Sequence, residues 1–247
     1  GIDLAQLFFA PTLTYKVNDN HAIGASLNIV YQRFKATGLS DFRFFTRTGT
    51  ASQLSDLGYD DSFGAGVKLG WTGKVSDTLT LGAAYQSRTY MARFNKYSEL
   101  FAENGDFDIP ANYTIGAAWK ATPKTTLAFD IQHIEYGSVK SMANSNNGQL
   151  GNTYLGDDDG KGFGWDDMTI FKLGVEHKYS EYLTLRAGIS HGEQPIGHDD
   201  TDFNLIAPAV IENHLPLGAT LMMKNGSELT AFYMHAFENS QTGDGSA

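Results

Sequence analysis

The stretch "LTLGAAYQSRTY", from Leu79 to Tyr90, alternates between two kinds of side chain. Leu79, Leu81 and Tyr85 share one parity, whereas the other parity carries small or polar residues. Because successive side chains of a strand point to opposite faces, this pattern predicts a β-strand with one apolar face. In a soluble sheet the apolar face packs on a core, whereas in an outer-membrane barrel it meets lipid and the polar face lines the lumen. One strand does not distinguish the two arrangements.

Similar segments recur along the chain, and most of them are longer than the roughly 5–6 residues that are usual for strands of soluble proteins. Short turns rich in Asn, Asp, Gly and Pro alternate with long polar connections between them. This asymmetry is typical of outer-membrane barrels, which have short periplasmic turns and long external loops. The predicted strand segments are 4–17, 21–34, 61–75, 78–94, 109–121, 125–137, 167–179, 182–191, 210–224 and 227–237. The predicted long external loops are about 35–60, 95–108, 138–166 and 192–209.

The two parities also differ in charge. Residues such as Asp130 and Glu176 lie near strand centres on the polar parity, and aromatic residues such as Trp71 and Tyr179 gather near strand ends, as in interfacial girdles. We therefore predict an all-β fold, an antiparallel transmembrane β-barrel, with residues 1–247 forming a single barrel segment. A soluble sandwich or propeller is the alternative, because such folds also use many strands.

Composition narrows the range of partners and cofactors. The formal net charge of −10 and the lack of a Lys/Arg cluster argue against binding of nucleic acid. The absence of cysteine excludes a disulfide framework and a thiolate metal site. No run approaches the roughly 18–20 apolar residues of a transmembrane helix. We expect no cofactor.

Metal binding and catalysis have little support in the sequence. The acidic loop at 156–167 could hold Ca²⁺ through Asp157, Asp158 and Asp159, but it lacks the spacing of an EF-hand loop, and a solvated loop is the better interpretation. The histidines show no metal-binding spacing, and no nucleophile elbow, P-loop or dinucleotide fingerprint occurs. We predict no metal site and no enzymatic activity.

Three phrases carry a more specific signal, namely "DIPANYTIGAAWK" at 108–120, "GFGWDDMTIFKLGVEHKY" at 162–179 and "FNLIAPAVIENHL" at 203–215. Through these phrases the chain resembles, over most of its length, the FadL-type long-chain fatty-acid transporters. This outer-membrane family includes porins for toluene and other aromatic hydrocarbons. The resemblance implies passive transport of long-chain fatty acids or other hydrophobic small molecules across the bacterial outer membrane, in contact with its lipid and lipopolysaccharide. It also implies a fourteen-stranded parent barrel plugged by an N-terminal hatch. We expect about ten of those strands here, with the hatch, the first strands and the last strand absent.

Two parts of the external loops are candidate ligand contacts. The stretch "SDFRFFTRTG" at 40–49 could form an external apolar groove whose arginines meet a carboxylate, or it could pack on the barrel rim while its arginines pair with lipopolysaccharide or nearby acids. The stretch "NKYSELFAENG" at 95–105 predicts a short amphipathic helix that forms the opposite wall or caps the barrel mouth. The candidate residues are Phe42, Arg43, Phe44, Phe45, Arg47, Tyr97, Leu100 and Phe101.

Cationic residues on the polar parity are candidate partners for a fatty-acid carboxylate inside the lumen. They are Lys68, Arg88, Lys172 and Arg186. Asp130 and Glu176 could pair with them instead, since charges that face a wet lumen often satisfy one another. Two other functions stay open. One is an outer-membrane structural or adhesive protein that uses the long acidic loops, and the other is a lipid-acting outer-membrane enzyme.

Overall fold

The computed structural model describes residues 1–146 and 153–243, so part of the predicted loop at 138–166 lies outside the described residues. The strands form one antiparallel 12-stranded sheet in the order β1-β3-β4-β5-β7-β8-β9-β10-β11-β12, with β2 paired to β3 and β6 paired to β4. Their bounds are β1 (Ile2–Phe9), β2 (Thr12–Lys16), β3 (His21–Ala36), β4 (Asp60–Lys74), β5 (Leu79–Gln86), β6 (Tyr90–Met91), β7 (Asn112–Thr122), β8 (Thr125–Ile134), β9 (Met168–Lys178), β10 (Leu183–Gly192), β11 (Asn213–Met222) and β12 (Glu228–Ala236).

All ten predicted segments are strands of this sheet, but two of them are broken. The first segment divides into β1 and β2 at Pro11, which has no N–H to donate to the ladder. The fourth segment divides into β5 and β6, and both halves still pair with β4. The predicted all-β antiparallel fold is confirmed. Within the described residues the sheet is open, with β1 and β12 at its edges.

The two faces of the sheet follow from its register. Cross-strand partners share a face, and pairs such as Leu69 with Tyr85 and Tyr85 with Tyr113 continue one apolar face from strand to strand. The odd-numbered residues of the long strands form this outward face, which exposes large apolar side chains such as Phe63. The even-numbered residues form the inward face, because the external loops fold over that side. The apolar side of the stretch 79–90 therefore faces outward.

The long connections fold back into the mouth of the sheet and make its main buried cluster, here called the loop core. Aromatic rings meet edge to face inside it, with Phe34 of β3 at 4.8 Å from Tyr97 and 4.9 Å from Phe101. The loop core thus joins an inward-facing strand residue to loops far away in the sequence. It consists of Phe34, Ala36, Leu39, Leu54, Phe94, Tyr97, Leu100, Phe101, Phe107, Val139, Met142, Leu155, Phe163 and Phe203.

The helical elements are all short. They are α1 (Ala102–Gly105), α2 (Lys140–Ala143), α3 (Thr201–Asn204) and 3-10 turns at Ser40–Phe45, Asn95–Tyr97, Tyr136–Ser138 and His198–Asp200. In the described ranges, no helix has the length and apolar character needed to span a bilayer. The predicted amphipathic helix over 95–105 is wrong, because Glu103 and Asn104 adopt positive φ values of 55° and 59°. Their N–H groups bond to carbonyls of the loop at 156–157 instead of continuing a helix.

Candidate functional site

The inward face of the strands is lined by small residues that form a continuous belt. At cross-strand pairs of glycine, such as Gly24 with Gly70 and Gly174 with Gly188, no side chain covers the backbone on this face. Two cavities of about 540 and 580 Å³ lie against this small-residue belt. Such a wall leaves space for lumen contents. The belt consists of Gly24, Gly70, Gly82, Ala84, Gly116, Ala118, Ala128, Gly174, Gly188 and Gly218.

Two of the predicted lumenal cations already have polar partners. Arg186 Nε lies 2.8 Å from Glu176 Oε2, and its Nη1 donates to Thr220 Oγ1 at 2.7 Å. Lys172 Nζ donates to Gln132 Oε1 at 2.7 Å. These contacts run across neighbouring strands at the second cavity. The Arg186–Glu176 pair corresponds to the mutual pairing that was the alternative to carboxylate binding, whereas Lys172 contacts a neutral amide.

Lys68 differs from the other candidate cations. It lies on the inward face of β4, between Ser26 and Gln86 on the neighbouring strands, and its side chain is exposed. Within residues 1–146 and 153–243, no carboxylate lies within ion-pair distance of its ammonium group. Lys172 likewise has no carboxylate partner there, but its ammonium is bonded to the amide of Gln132. Among the four predicted lumenal cations, Lys68 is therefore the most open to a ligand.

Arg88 lies in a β-bulge that breaks the fourth long strand. The register changes from Lys68 opposite Gln86 to Gly64 opposite Met91, so the β5–β6 side carries one extra residue. Ser87 satisfies the backbone of Val67 at the bulge. Its N–H donates to Val67 O at 2.9 Å, and its hydroxyl oxygen accepts from Val67 N at 3.0 Å.

The guanidinium of Arg88 is bonded to two external loops. Its Nε donates to Asp108 Oδ2 at 2.6 Å, its Nη2 lies 3.3 Å from Asp106 Oδ2, and its Nη1 donates to Ser138 O at 2.6 Å. The other carboxylate oxygen of Asp108 accepts the backbone N–H of Met91 in β6. Arg88 therefore fastens the bulge to the loops. This geometry leaves its charge compensated without any ligand.

Burial and charge act together on Asp106. Burial and, after it, the neighbouring charge of Asp108 raise the pKa of its carboxyl to about 6, against the opposing effect of Arg88. The carboxylates Asp106 and Asp108 were not singled out from the sequence, because their partner Arg88 lies on a different element.

A buried polar gap lies beside the bulge. The amide Nδ2 of Asn28 and the hydroxyl Oγ1 of Thr89 are buried and have no hydrogen-bond partner within the described part of the chain. Gly66 faces Asn28 across the β3–β4 ladder, and a Cβ at Gly66 would stand 2.7 Å from Thr89 Oγ1. Glycine is thus needed where the bulge approaches β4.

The first long loop places its aromatic residues at different depths. Phe42 and Phe45 pack against the loop core, with the Phe42 ring 5.9 Å from that of Phe203. Phe44 is 66% exposed, and the guanidinium of Arg43 lies 4.3 Å above its ring. Arg43 also lies 3.4 Å from Asp41. An exposed Phe44 beside a cation is the part of this loop that a ligand outside the barrel could reach.

Arg47 pairs with the acidic loop rather than standing free. Its Nη2 donates to both carboxylate oxygens of Asp157, at 2.7 and 2.8 Å. This hydrogen bond raises the pKa of Arg47. Burial raises the pKa of Asp157, but the hydrogen bonds from Arg47 and the Tyr154 N–H outweigh it and hold that pKa below its ordinary value.

The residues predicted on the helix at 95–105 lie in the interior of the loop core. Tyr97, Leu100 and Phe101 are all buried, and the Tyr97 hydroxyl donates to Gly58 O and accepts from Ala36 N. Their spacing correctly indicated one apolar face. That face packs into the cap over the mouth, and these three side chains do not line an open groove.

The acidic loop at 156–167 does not gather a set of metal ligands among the described residues. Asp157 is bonded to Arg47, and across residues 1–146 and 153–243 no three His, Asp or Glu side chains come together as metal ligands.

A sheet that turns long apolar side chains outward and keeps small and charged residues on its inner wall is a segment of an outer-membrane β-barrel. The chain belongs to the family described as Outer membrane protein transport protein (OMPP1/FadL/TodX), which matches residues 2–242. The resemblance noted in the sequence is thereby confirmed, and so is the bacterial outer membrane as the location of the protein.

Solved structures of this family share the fold. The Ralstonia pickettii toluene transporter TbuX is 17% identical with a TM-score of 0.64, over 97% of this chain and 64% of that chain. A Pseudomonas aeruginosa FadL homologue is 16% identical with a TM-score of 0.68, over 96% of this chain and 60% of that chain. The Pseudomonas putida toluene transporter TodX is 20% identical with a TM-score of 0.63, over 94% of this chain and 64% of that chain.

This chain thus spans less than two thirds of the length of these three similar structures. No curated protein sequence gives a significant match.

Proposed function

We propose that this protein carries neutral hydrophobic small molecules across the outer membrane, down their concentration gradient and along the inner wall of the barrel. The observation that carries the proposal is the small-residue belt, whose bare wall borders cavities of about 540 and 580 Å³. Cavities of this size fall in the range of roughly 300–1,000 Å³ that is usual for small-ligand sites. Family membership supports the same function, since two of the similar structures are toluene transporters.

The pairing of the cations favours a neutral ligand over a carboxylate. Arg47, Arg88 and Arg186 each contact a carboxylate within 2.8 Å. A fatty-acid headgroup would have to displace those partners. The cost is large at Arg88, because its partner Asp108 is buried, and small at the more exposed pairs. A neutral molecule requires no such exchange.

Lys68 supports a second candidate, the transport of fatty acids. Its exposed ammonium faces the lumen without an ion-pair partner in the described ranges, so it could orient a ligand carboxylate. Lys172 keeps only a neutral amide partner and could contribute as well. The two candidates therefore predict different effects of changing Lys68.

Uptake of two ligands with the same chain separates the candidates. We would measure entry of 1-dodecanol and of dodecanoate at pH 8 into cells that produce the protein or its Lys68→Gln variant. The neutral-ligand proposal predicts uptake of dodecanol that exceeds uptake of dodecanoate and that changes less than about twofold in the variant. Faster uptake of dodecanoate, lost about tenfold in Lys68→Gln, would establish the fatty-acid candidate instead. Lys120→Gln is the matched control, since Lys120 faces the same side near a short turn.

A further inference from the structure

A second group of cations lies on the outward face, at the end of β3 where the first long loop begins. The guanidinium of Arg33 stands 4.5 Å and the ammonium of Lys35 stands 4.8 Å from the centre of the Tyr59 ring. Lys96 Nζ donates to the backbone oxygen of Tyr59. One tyrosine thus gathers three cations, two from β3 and one from the loop that follows β6. We call Arg33, Lys35, Tyr59 and Lys96 the Tyr59 cluster.

The Tyr59 cluster lies beyond an aromatic pair of the outward face, on the side of the long loops. Tyr31 and Phe63 on the same outward face have ring centroids 5.1 Å apart, and aromatic pairs of this kind mark the membrane interface. Strands rise about 3.3 Å per residue, so Arg33 and Lys35 lie roughly 7 and 13 Å beyond Tyr31 along the strand. The cations therefore begin where the aromatic band ends, on the side of the long loops.

Three carboxylates lie near these cations, with Asp3 opposite Lys35 and Asp61 opposite Arg33 across the strand ladders, but each carboxylate accepts a hydrogen bond from another group. Asp3 accepts the Tyr59 hydroxyl, Asp61 accepts the Tyr31 hydroxyl, and Asp60 accepts the backbone N–H of Lys96. In the part of the chain that the structure describes, none of these carboxylates comes within ion-pair distance of Arg33, Lys35 or Lys96. The guanidinium of Arg33 and the ammonium of Lys35 themselves lie over the Tyr59 ring in cation–π contacts, which do not neutralise their positive charges.

We propose that the Tyr59 cluster binds a phosphate group of a phosphorylated lipid of the outer leaflet. A planar guanidinium and two ammonium groups supply hydrogen-bond donors for the oxygens of a phosphate group. The protein has a formal net charge of −10, so an anionic lipid next to its wall needs a local group of cations to overcome the repulsion. A cation near a membrane surface changes binding of an anionic lipid by about fivefold.

The test uses lipid A in mixed detergent micelles with the purified full chain, and it measures bound lipid by native mass spectrometry. The combined variant Arg33→Gln, Lys35→Gln and Lys96→Gln is expected to weaken binding at least about fiftyfold. The control variant Lys124→Gln, Lys178→Gln and Lys224→Gln removes the same charge at the short-turn end and is expected to bind within about twofold of the unmodified protein.

Two further probes identify the source of the phosphate. Lipid A without its phosphates is expected to bind as weakly as the combined variant, and inorganic phosphate is expected to displace lipid A only at far higher concentration. Equal binding of the dephosphorylated lipid, or equal binding by the combined variant, would overturn the proposal. Displacement by inorganic phosphate at the concentration of lipid A itself would make this a site for free phosphate and would overturn the lipid assignment.

A single substitution keeps the proposal testable if the combined variant does not fold. Lys96→Gln removes one ammonium whose hydrogen bond is to the Tyr59 carbonyl, and circular dichroism reports whether the sheet is retained. It is expected to weaken binding of lipid A about fivefold. Unchanged binding by a folded Lys96→Gln protein would contradict the proposed role of Lys96 and, with it, the three-cation site.

Discussion

Replacing Arg88 by Met tests whether this residue is a structural fastener or a ligand contact. The side chain of Asp108 is only 3% exposed, and Arg88 provides the one positive charge bonded to it among the described residues. Removing the guanidinium leaves that carboxylate buried with the Met91 N–H as its remaining donor. Breaking a buried ion pair in this way costs about 3–5 kcal/mol. Asp106 adds less, because its raised pKa allows it to take up a proton.

The stability change is measured by urea titration of the protein in lipid vesicles, followed by tryptophan fluorescence. Arg186→Met is the control, since both Arg186 and its partner Glu176 are more than a third exposed and such pairs contribute about 0–1 kcal/mol. Adding Asp108→Asn to Arg88→Met should recover part of the loss, because an amide can still accept the Met91 N–H without an unpaired charge. The structural role of Arg88 is refuted if Arg88→Met and Arg186→Met are equally stable while ligand uptake falls only in Arg88→Met.

Three further outcomes follow from the loops and the bulge. Because the folded pKa of Asp106 is about 6, above its ordinary value, its contribution to stability is present below about pH 4 and is lost as pH rises through 6. Asp106→Asn should therefore be neutral at pH 4 and stabilising by on the order of 2 kcal/mol at pH 8; an equal effect at both pH values would contradict this. Phe101→Ala should cost about 3–5 kcal/mol, whereas the exposed Phe44→Ala should stay within about 0.5 kcal/mol, both by urea titration. Thr89→Val removes a buried hydroxyl without a partner and should raise stability by about 1 kcal/mol; a loss would show that the hydroxyl has a partner.

The strand pattern was predictable because it is local. Phe63 and Val67 on one face, with glycines between them, follow the two-residue period that the sheet requires. The bulge is also visible in the sequence. Tyr85 and Tyr90 both face outward although they are five residues apart, and an odd separation on one face requires one extra residue in the strand. Pro11 indicates the other break, because proline has no N–H to donate to the ladder. The alternation of the flanking residues continues past both positions, so the strand pattern alone predicted neither break.

The site could be predicted only in part, because its contacts join distant loops. Arg47 and Asp157 are 110 residues apart, and nothing in either loop specifies the other. The spacing of Tyr97, Leu100 and Phe101 indicated an apolar face correctly but a helix wrongly, since backbone hydrogen bonds to the loop at 156–157 override the local helical preference. Residue type identified the cations, whereas their partners depend on tertiary structure.

The most direct test of transport through the lumen is uptake of toluene by cells that carry Gly174→Trp or its outward-facing neighbour Leu173→Trp. A Cβ at Gly174 would have ordinary contacts, with Ala187 O at 3.9 Å as its nearest atom, so the substitution fills the cavity rather than straining the sheet. The indole adds roughly 150 Å³ of close-packed atoms to a space of about 580 Å³. We predict that toluene uptake falls several-fold in Gly174→Trp and is unchanged in Leu173→Trp. Equal uptake by both folded variants would contradict passage along the inner wall.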